Sequence, residues 1–195
     1  MKKIKLGAKT FLYPMPALLL GARVNGKPNF ATIAYCGVVQ HQPAMVALGS
    51  GRGHYSNDGI KKAKSFSLNV PSADMVQAVD YCGLVSGGDR DKSKVFTVFY
   101  GKLDNAPMIE ECPLCLECRL VACLDLGGTN EIFLGEVVET YAAEFCVVNG
   151  VPDPQKINPL IFTMHDNHYW QLGAQIGTAW DVGKNYVAKA GGTNR

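Results

Sequence analysis

The sequence predicts a mainly β protein whose strands close, or nearly close, into a barrel. Many short segments alternate apolar and polar residues, which is typical of strands with one buried face. Only two or three short segments have helical spacing, whereas a doubly wound parallel sheet needs a helix between successive strands. The 195 residues contain no internal repeat and no linker, so we expect a single domain over residues 1–195.

The first half of the chain carries the clearest signals. Asn25-Gly26 marks a tight turn between two strands. Ser56 has the chemistry of a helix N-cap, and Asp58 follows in the first turn of that helix. We expect strands over 18–24, 30–39, 45–48 and 66–70, and helices over 57–64 and 74–83.

The second half is predicted to be almost entirely β. Alternate residues of 116–125 are apolar and share one face, as in a half-buried strand. We expect strands over 116–125, 132–139 and 142–148, and a strand or extended edge over 169–173.

Composition excludes several classes of protein. The net charge of +2 comes without a basic stripe, so we expect no nucleic-acid partner. No apolar run approaches the roughly 20 residues that cross a bilayer, so we expect no membrane association. Lys9, Pro14 and Pro16 interrupt the only stretch that resembles a signal peptide. Seven cysteines, an odd number, favour a reducing compartment, and we expect a soluble cytoplasmic protein.

Three stretches rich in glycine and hydroxyl groups, 29–37, 49–56 and 86–92, are candidates for a binding site. In the second stretch, Gly51 and Gly53 allow a ligand to approach the backbone, and Arg52 offers a forked cation. Ser56 and the following helix N-terminus add donors, which together suit a phosphate monoester. The stretches do not fit the P-loop pattern. Glycine and serine also dominate ordinary turns, so spacing alone leaves both interpretations open.

A set of short motifs runs along the chain in a fixed order. They lie at 14–20, 25–29, 31–37, 50–52, 55–56, 80–83, 86–87, 91–92, 116–120, 133–137 and 169–173. In this order they resemble the flavin reductase-like family of FMN-binding split barrels, and in particular its flavoredoxin branch, over essentially the whole chain.

The resemblance implies a six-stranded antiparallel Greek-key split barrel with a few short helices, a homodimer, and one FMN per subunit near the subunit boundary. By position, the flavin ring and ribityl chain would be lined by Asn29, Ala31, Thr32, Ala34, Tyr35 and Cys36. The phosphate would be held by Ser50, Arg52, Tyr55 and Ser56, and the pocket completed by Ser86, Gly87 and Lys92. Further candidates are Gly51 for close backbone approach, His54 beside the phosphate, and Trp170 at the pocket edge.

The function implied is an oxidoreductase that transfers electrons from NAD(P)H or a reduced carrier, through FMN, to free flavin, ferric iron or a protein partner. Two alternatives stay open: a flavoredoxin-type electron carrier without NAD(P)H turnover, and a flavin-binding module without catalysis. A dedicated catalytic residue is not expected, because hydride passes between stacked rings held at close range.

The cysteines at 112–123 suggest a third class, a metal-cluster protein. Cys112, Cys115 and Cys118 have C-x₂-C-x₂-C spacing, but the interval to Cys123 exceeds that of ferredoxin motifs and no proline follows. Cys118 and Cys123 also have opposite parity on a strand and should point to opposite faces. We therefore expect buried thiols and no metal. Cys36 is the first candidate for a redox-active thiol near the flavin.

Overall fold

The structure is a computed structural model that describes residues 1–184 and residue 186. Its strands are β1 (Met15–Pro16), β2 (Leu18–Val24), β3 (Lys27–Ile33), β4 (Cys36–Gln40), β5 (Met45–Gly51), β6 (Ser65–Val70), β7 (Val98–Phe99), β8 (Met108–Ile109), β9 (Leu114–Asp125), β10 (Asn130–Ala142), β11 (Val147–Val148), β12 (Val151–Pro152), β13 (Ile161–Thr163) and β14 (His168–Trp170). The helices are α1 (Tyr55–Ala63), α2 (Val76–Leu84) and α3 (Pro154–Ile157), with 3₁₀ turns at Ala73–Met75 and Glu144–Cys146.

The main sheet has seven antiparallel strands in the order β3-β2-β6-β9-β10-β5-β4. β3 and β4 lie at opposite edges of this sheet, yet only Ala34 and Tyr35 separate them in the chain. Because three extended residues span at most about 11 Å, the two edges must lie close together. The sheet is therefore curled into a barrel that is open along one line between β3 and β4, which we call the seam.

The predicted fold class, a mainly β antiparallel split barrel with a few short helices, is confirmed. Six chain segments form the seven strands, because the predicted strand over 30–39 is divided at the seam into β3 and β4.

The barrel interior is filled by apolar side chains from every wall. Phe66, Phe133 and Leu48 are fully buried there, and Ile60 of α1 closes one end. Helix α1 lies close to β2, because a Cβ on Gly59 would stand 2.7 Å from the carbonyl oxygen of Arg23. A second apolar cluster lies outside the barrel between α2, β3 and the segment before β9. The two clusters fix α1 and α2 on either side of β3.

Two local predictions were wrong. The segments 132–139 and 142–148 do not form two strands, because β10 continues to Ala142 by pairing along β9 through register shifts at Leu134/Gly135 and Val137/Glu139. Ser56 is not the helix N-cap: α1 begins at Tyr55, His54 is the N-cap residue, and the Ser56 side chain is buried.

The domain predicted over 1–195 includes positions 185 and 187–195, which lie outside the described residues, so its extent stays a prediction. Among the residues that the structure describes, no helix is long and apolar enough to cross a bilayer.

Candidate functional site

Three adjoining cavities form a continuous groove along β3. The central pocket, about 210 Å³, lies between β3, the start of α1 and the end of α2. The seam pocket, about 250 Å³, shares Thr32 and His54 with it. The loop pocket, about 320 Å³, shares Asn29, Tyr55 and Lys92 with it, together with Gly87. The groove has the size of a cofactor site, since such pockets hold roughly 300–1,000 Å³.

The floor of the central pocket is a buried hydrogen bond. Asn29 Nδ2, on β3, donates to Ser56 Oγ, in the first turn of α1, over 2.8 Å, and both residues are buried. Gly87 lies directly above this pair: a Cβ at that position would overlap Asn29 Oδ1 and stand 2.8 Å from the Tyr55 ring. The loop 86–92 can close over β3 because residue 87 has no side chain.

Lys92 is a buried cation at one wall of the central pocket. The residue is 2% exposed, and its Nζ donates to the carbonyl oxygens of Val85, at 2.8 Å, and Cys82, at 3.1 Å. Burial lowers the pKa of Lys92. Among the described residues, no carboxylate forms an ion pair with it. An ammonium group has three donors, so one remains for a ligand in the pocket.

The N-terminus of α1 also lines the central pocket. No side chain caps it, and the first N–H groups of a helix have no partner within the helix. Tyr55 and Ser56, the first two helical residues, line the central pocket together with Gly53. A helix N-terminus and a buried ammonium group that line the same pocket favour an anion, above all a phosphate.

The seam pocket differs in chemistry, since its walls are mainly apolar. Met15, Phe162 and Met164 contribute side chains from β1 and the β13 region, and Ala34 and Tyr35 contribute from the seam itself. The Tyr35 hydroxyl contacts Met164 Sδ at 2.8 Å. A planar, largely apolar ring system suits such a slot.

The structure brings together most of the residues predicted from the sequence. The groove is lined by Asn29, Ala31, Thr32, Ala34, Tyr35, Gly51, His54, Tyr55, Ser56, Ser86, Gly87 and Lys92. Four predicted residues, Cys36, Ser50, Arg52 and Trp170, do not line it.

Each of these four has another environment. The Arg52 guanidinium forms a two-point ion pair with Asp125 and donates to the Gly128 carbonyl, so its predicted role at the phosphate has no geometric support. Ser50 is buried beneath His54. Cys36 packs against the barrel interior. Trp170 is 54% exposed and donates to the Thr163 hydroxyl on the neighbouring strand.

Sequence reasoning did not identify the apolar residues of the seam pocket. Phe162 and Met164 lie about 130 residues after Tyr35 in the chain, and they reach the seam only because β13 pairs with β1. Met15 lies within the 14–20 motif, but an apolar side chain does not by itself indicate contact with a ligand.

The cysteines of 112–123 are not gathered into a ligand set. Cys112, Cys115 and Cys118 are buried, and burial raises the pKa of all three thiols, that of Cys115 to about 12. Cys123 is exposed, as its opposite strand parity predicted. Within 1–184 and residue 186, no three His, Cys, Asp or Glu side chains are placed to hold a metal ion. Burial also raises the pKa of Cys36 to about 11.

Residues 10–163 match the model of the flavin reductase like domain. The chain therefore belongs to the flavin reductase-like family. A flavoredoxin from Methanosarcina acetivorans is 46% identical and superposes with a TM-score of 0.92, covering 94% of this chain and 98% of that one. A flavoredoxin from Desulfovibrio vulgaris (Miyazaki F) is 30% identical with a TM-score of 0.87, covering 94% and 100%. An uncharacterized protein from Archaeoglobus fulgidus is 29% identical over 146 residues, 73% of this chain and 80% of its own length.

Proposed function

We propose that this chain is an FMN-dependent oxidoreductase with its cofactor in the groove along β3. The main support for the proposal is that two chemically different pockets adjoin. The central pocket offers an anion site formed by Lys92 and the α1 N-terminus, and the seam pocket is mainly apolar. FMN has a phosphate, which suits the central pocket, and a flat aromatic ring, which suits the seam pocket, with a polar chain between them.

The residues of the chain would hold the cofactor in a defined orientation. Lys92 and the first N–H groups of α1 bind the phosphate, and Ser86 adds a hydroxyl at the rim. Thr32 Oγ1 donates to the Val79 carbonyl, which ties β3 to α2 midway along the groove. Tyr35 and Met164 hold the ring. Bound FMN supplies the redox chemistry, and the protein supplies position and electrostatics.

Two versions of this function differ in the electron donor. In a flavin reductase, NAD(P)H gives electrons that pass to free flavin or ferric iron. In an electron carrier of the flavoredoxin type, a protein partner replaces NAD(P)H, and the names of the two structural relatives support this version. Oxidation of NADH and NADPH by the FMN-loaded protein separates them: no turnover with either nucleotide selects the carrier. A protein that binds FMN yet is reduced slowly by every donor is a flavin-binding module.

The binding proposal is tested by the ratio of the FMN and riboflavin affinities. Riboflavin lacks the phosphate, so Lys92→Met should weaken FMN binding by about 10- to 100-fold, the value of one charge-assisted hydrogen bond, and leave riboflavin binding unchanged. Lys94→Met, at an exposed position nearby, is the matched control. Fluorescence titration measures both ligands. If the wild-type protein binds no FMN even at high excess, the proposal is contradicted.

We also propose that the chain forms a homodimer and that the protein is located in the cytoplasm. Val38 and Val39 of the edge strand β4 are 80% and 56% exposed beside the seam, a surface that a second copy would cover. Seven free cysteines agree with a reducing compartment. Light scattering should give the mass of a dimer, and Val38→Lys with Val39→Lys should give that of a monomer. A wild-type monomer contradicts the dimer proposal.

A further inference from the structure

A line of hydrogen bonds runs from Glu131 of β10, through the buried side chains of Asn57 and Ser50, to His54, an exposed residue at the groove. Asn57 Nδ2 donates to Glu131 Oε2 over 2.9 Å, and Ser50 Oγ lies 2.6 Å from Asn57 Oδ1. The same Ser50 oxygen lies 3.1 Å from His54 Nδ1. Ser50 and Asn57 are 0% and 2% exposed, so water does not compete for these groups. The line joins a charged residue to the groove through two neutral side chains.

The chemistry of each group fixes the direction of every bond in this line. Glu131 forms an ion pair with Lys61, whose hydrogen bond lowers the pKa of Glu131, and an ionised carboxylate only accepts. Asn57 must therefore turn its NH₂ group to Glu131, and its other N–H donates to the Gly51 carbonyl at 2.9 Å. Asn57 Oδ1 is left to accept the Ser50 hydroxyl proton.

The last bond determines the tautomer of His54. Because the Ser50 hydroxyl already donates to Asn57, its oxygen can only accept from the imidazole. In the neutral ring the proton is then on Nδ1, and Nε2 carries a free lone pair.

His54 stands where the central and seam pockets meet, since it lines both. The Nε2 atom lies over Gly51: a Cβ at that position would stand 3.1 Å from it. A ligand that occupies both pockets lies beside His54, because this residue lines each of them. The part of the ligand that lies there is the polyol chain between the ring and the phosphate, if the proposed function holds.

We propose that the Glu131–Asn57–Ser50 line holds His54 as a fixed hydrogen-bond acceptor for a hydroxyl group of a ribityl chain that joins the two pockets. The inference rests on the proposed function for the identity of the ligand. The tautomer itself depends only on contacts within this chain. Ser50 and Asn57 are positioning residues that act through His54, and the His54 contact makes the groove selective for flavins that carry a polyol.

The tautomer is tested first, on the protein without cofactor. Nitrogen-15 NMR of the neutral imidazole rings should show His54 with its proton on Nδ1. Ser50→Ala removes the acceptor and should change the His54 nitrogen shifts, while exposed His41 keeps its own. A wild-type His54 protonated on Nε2 overturns the proposal, whether or not the protein binds FMN.

The ligand contact is tested with three flavins. FMN and riboflavin carry the ribityl chain, whereas lumiflavin lacks it. His54→Ala should weaken FMN and riboflavin binding by about tenfold each, the value of one hydrogen bond, and leave lumiflavin unchanged. Equal losses for all three, or no loss, overturn the acceptor role.

Gly51→Ala provides a variant that keeps the imidazole. Its Cβ would press on the Nε2 edge of His54, so it should reproduce the ribityl-specific loss. Gly128→Ala, whose Cβ would meet nothing within 4 Å, is the control, and thermal unfolding confirms that each variant is folded. If wild-type protein binds no flavin, the proposed function and the acceptor role both fail, while the NMR result still decides the tautomer.

Discussion

Asn29 and Ser56 join the edge strand β3 to the first turn of α1 through a 2.8 Å hydrogen bond between buried side chains. This bond sets the distance between the strand that lines the groove and the helix N-terminus that faces it. A buried donor or acceptor left without its partner costs about 1–3 kcal/mol. The pair is therefore important for stability and for the shape of the central pocket.

Asn29→Ala should lower the free energy of unfolding by about 1–3 kcal/mol, because it leaves the Ser56 hydroxyl buried without its partner. Ser56→Ala should do the same to Asn29. The double variant should lose less than the sum of the two, since neither polar group then remains. Urea unfolding of the four proteins measures the coupling. Strictly additive losses would show that the two side chains act independently.

Gly87→Ala should disturb the groove, whereas Gly88→Ala should not. A Cβ on Gly87 would overlap Asn29 Oδ1, but a Cβ on Gly88 would have ordinary contacts of 3.5 Å or more. Overpacking of this kind costs about 1–3 kcal/mol. We expect Gly87→Ala to lower thermal stability and to weaken FMN binding, with Gly88→Ala close to wild type in both. Equal behaviour of the two variants would contradict the packing described for the loop 86–92.

One thiol per chain should react rapidly with a disulfide reagent at pH 8. The thiolate is the reactive form, and desolvation raises the pKa of Cys36, Cys112, Cys115, Cys118 and also Cys123, so access to the reagent decides which thiol reacts first. Cys123 is the exposed cysteine, so Cys123→Ser should remove the rapid phase. Absorbance of the released thiol reports the count. Rapid reaction at two or more sites would mean that the core opens more readily than its packing indicates.

Glu117→Gln should be more destabilising than Glu136→Gln. Glu117 is 0% exposed and accepts hydrogen bonds from the backbone N–H groups of Lys102, at 2.8 Å, and Leu103, at 2.6 Å. An amide at 117 would lose the charge and turn a donor toward one of these donors, which should cost about 1–3 kcal/mol. Glu136 pairs with Arg119 at the surface, where the loss should stay within about 1 kcal/mol. Urea unfolding compares the two.

The parts of the fold that depend on local pattern could be predicted from the sequence. The alternation over 18–24 and the Asn25-Gly26 turn gave β2 and its hairpin with β3, because register and turn are encoded within a few residues. The same holds for α1, α2 and β9. Most of the groove residues could also be predicted, because they come from three short stretches that lie within or beside these elements.

The features of the fold and the groove that could not be predicted depend on contacts between residues far apart in the sequence. Arg52 is held by Asp125, which is 73 positions away at the end of β9, and the sequence gives no sign of that pairing. Glu117 has the strand parity of an exposed charge, but the backbone of residues 102 and 103 satisfies it inside the protein. The break at Ala34 and Tyr35 follows from the curl of the whole sheet, since the pattern of 30–39 is that of one continuous strand.

Because Ala34 and Tyr35 alone connect the two edge strands, the width of the groove opening is limited by covalent chain length. Lateral spreading of the barrel wall at this point is restrained by the three peptide units between Ile33 and Cys36. Residues inserted between Ala34 and Tyr35 would lengthen this link and allow a wider groove opening. The same insertion at 126–129, the hairpin turn between β9 and β10, would leave the link unchanged. The short link thus limits how far the entrance can open at the seam, although the barrel is not closed by hydrogen bonds there.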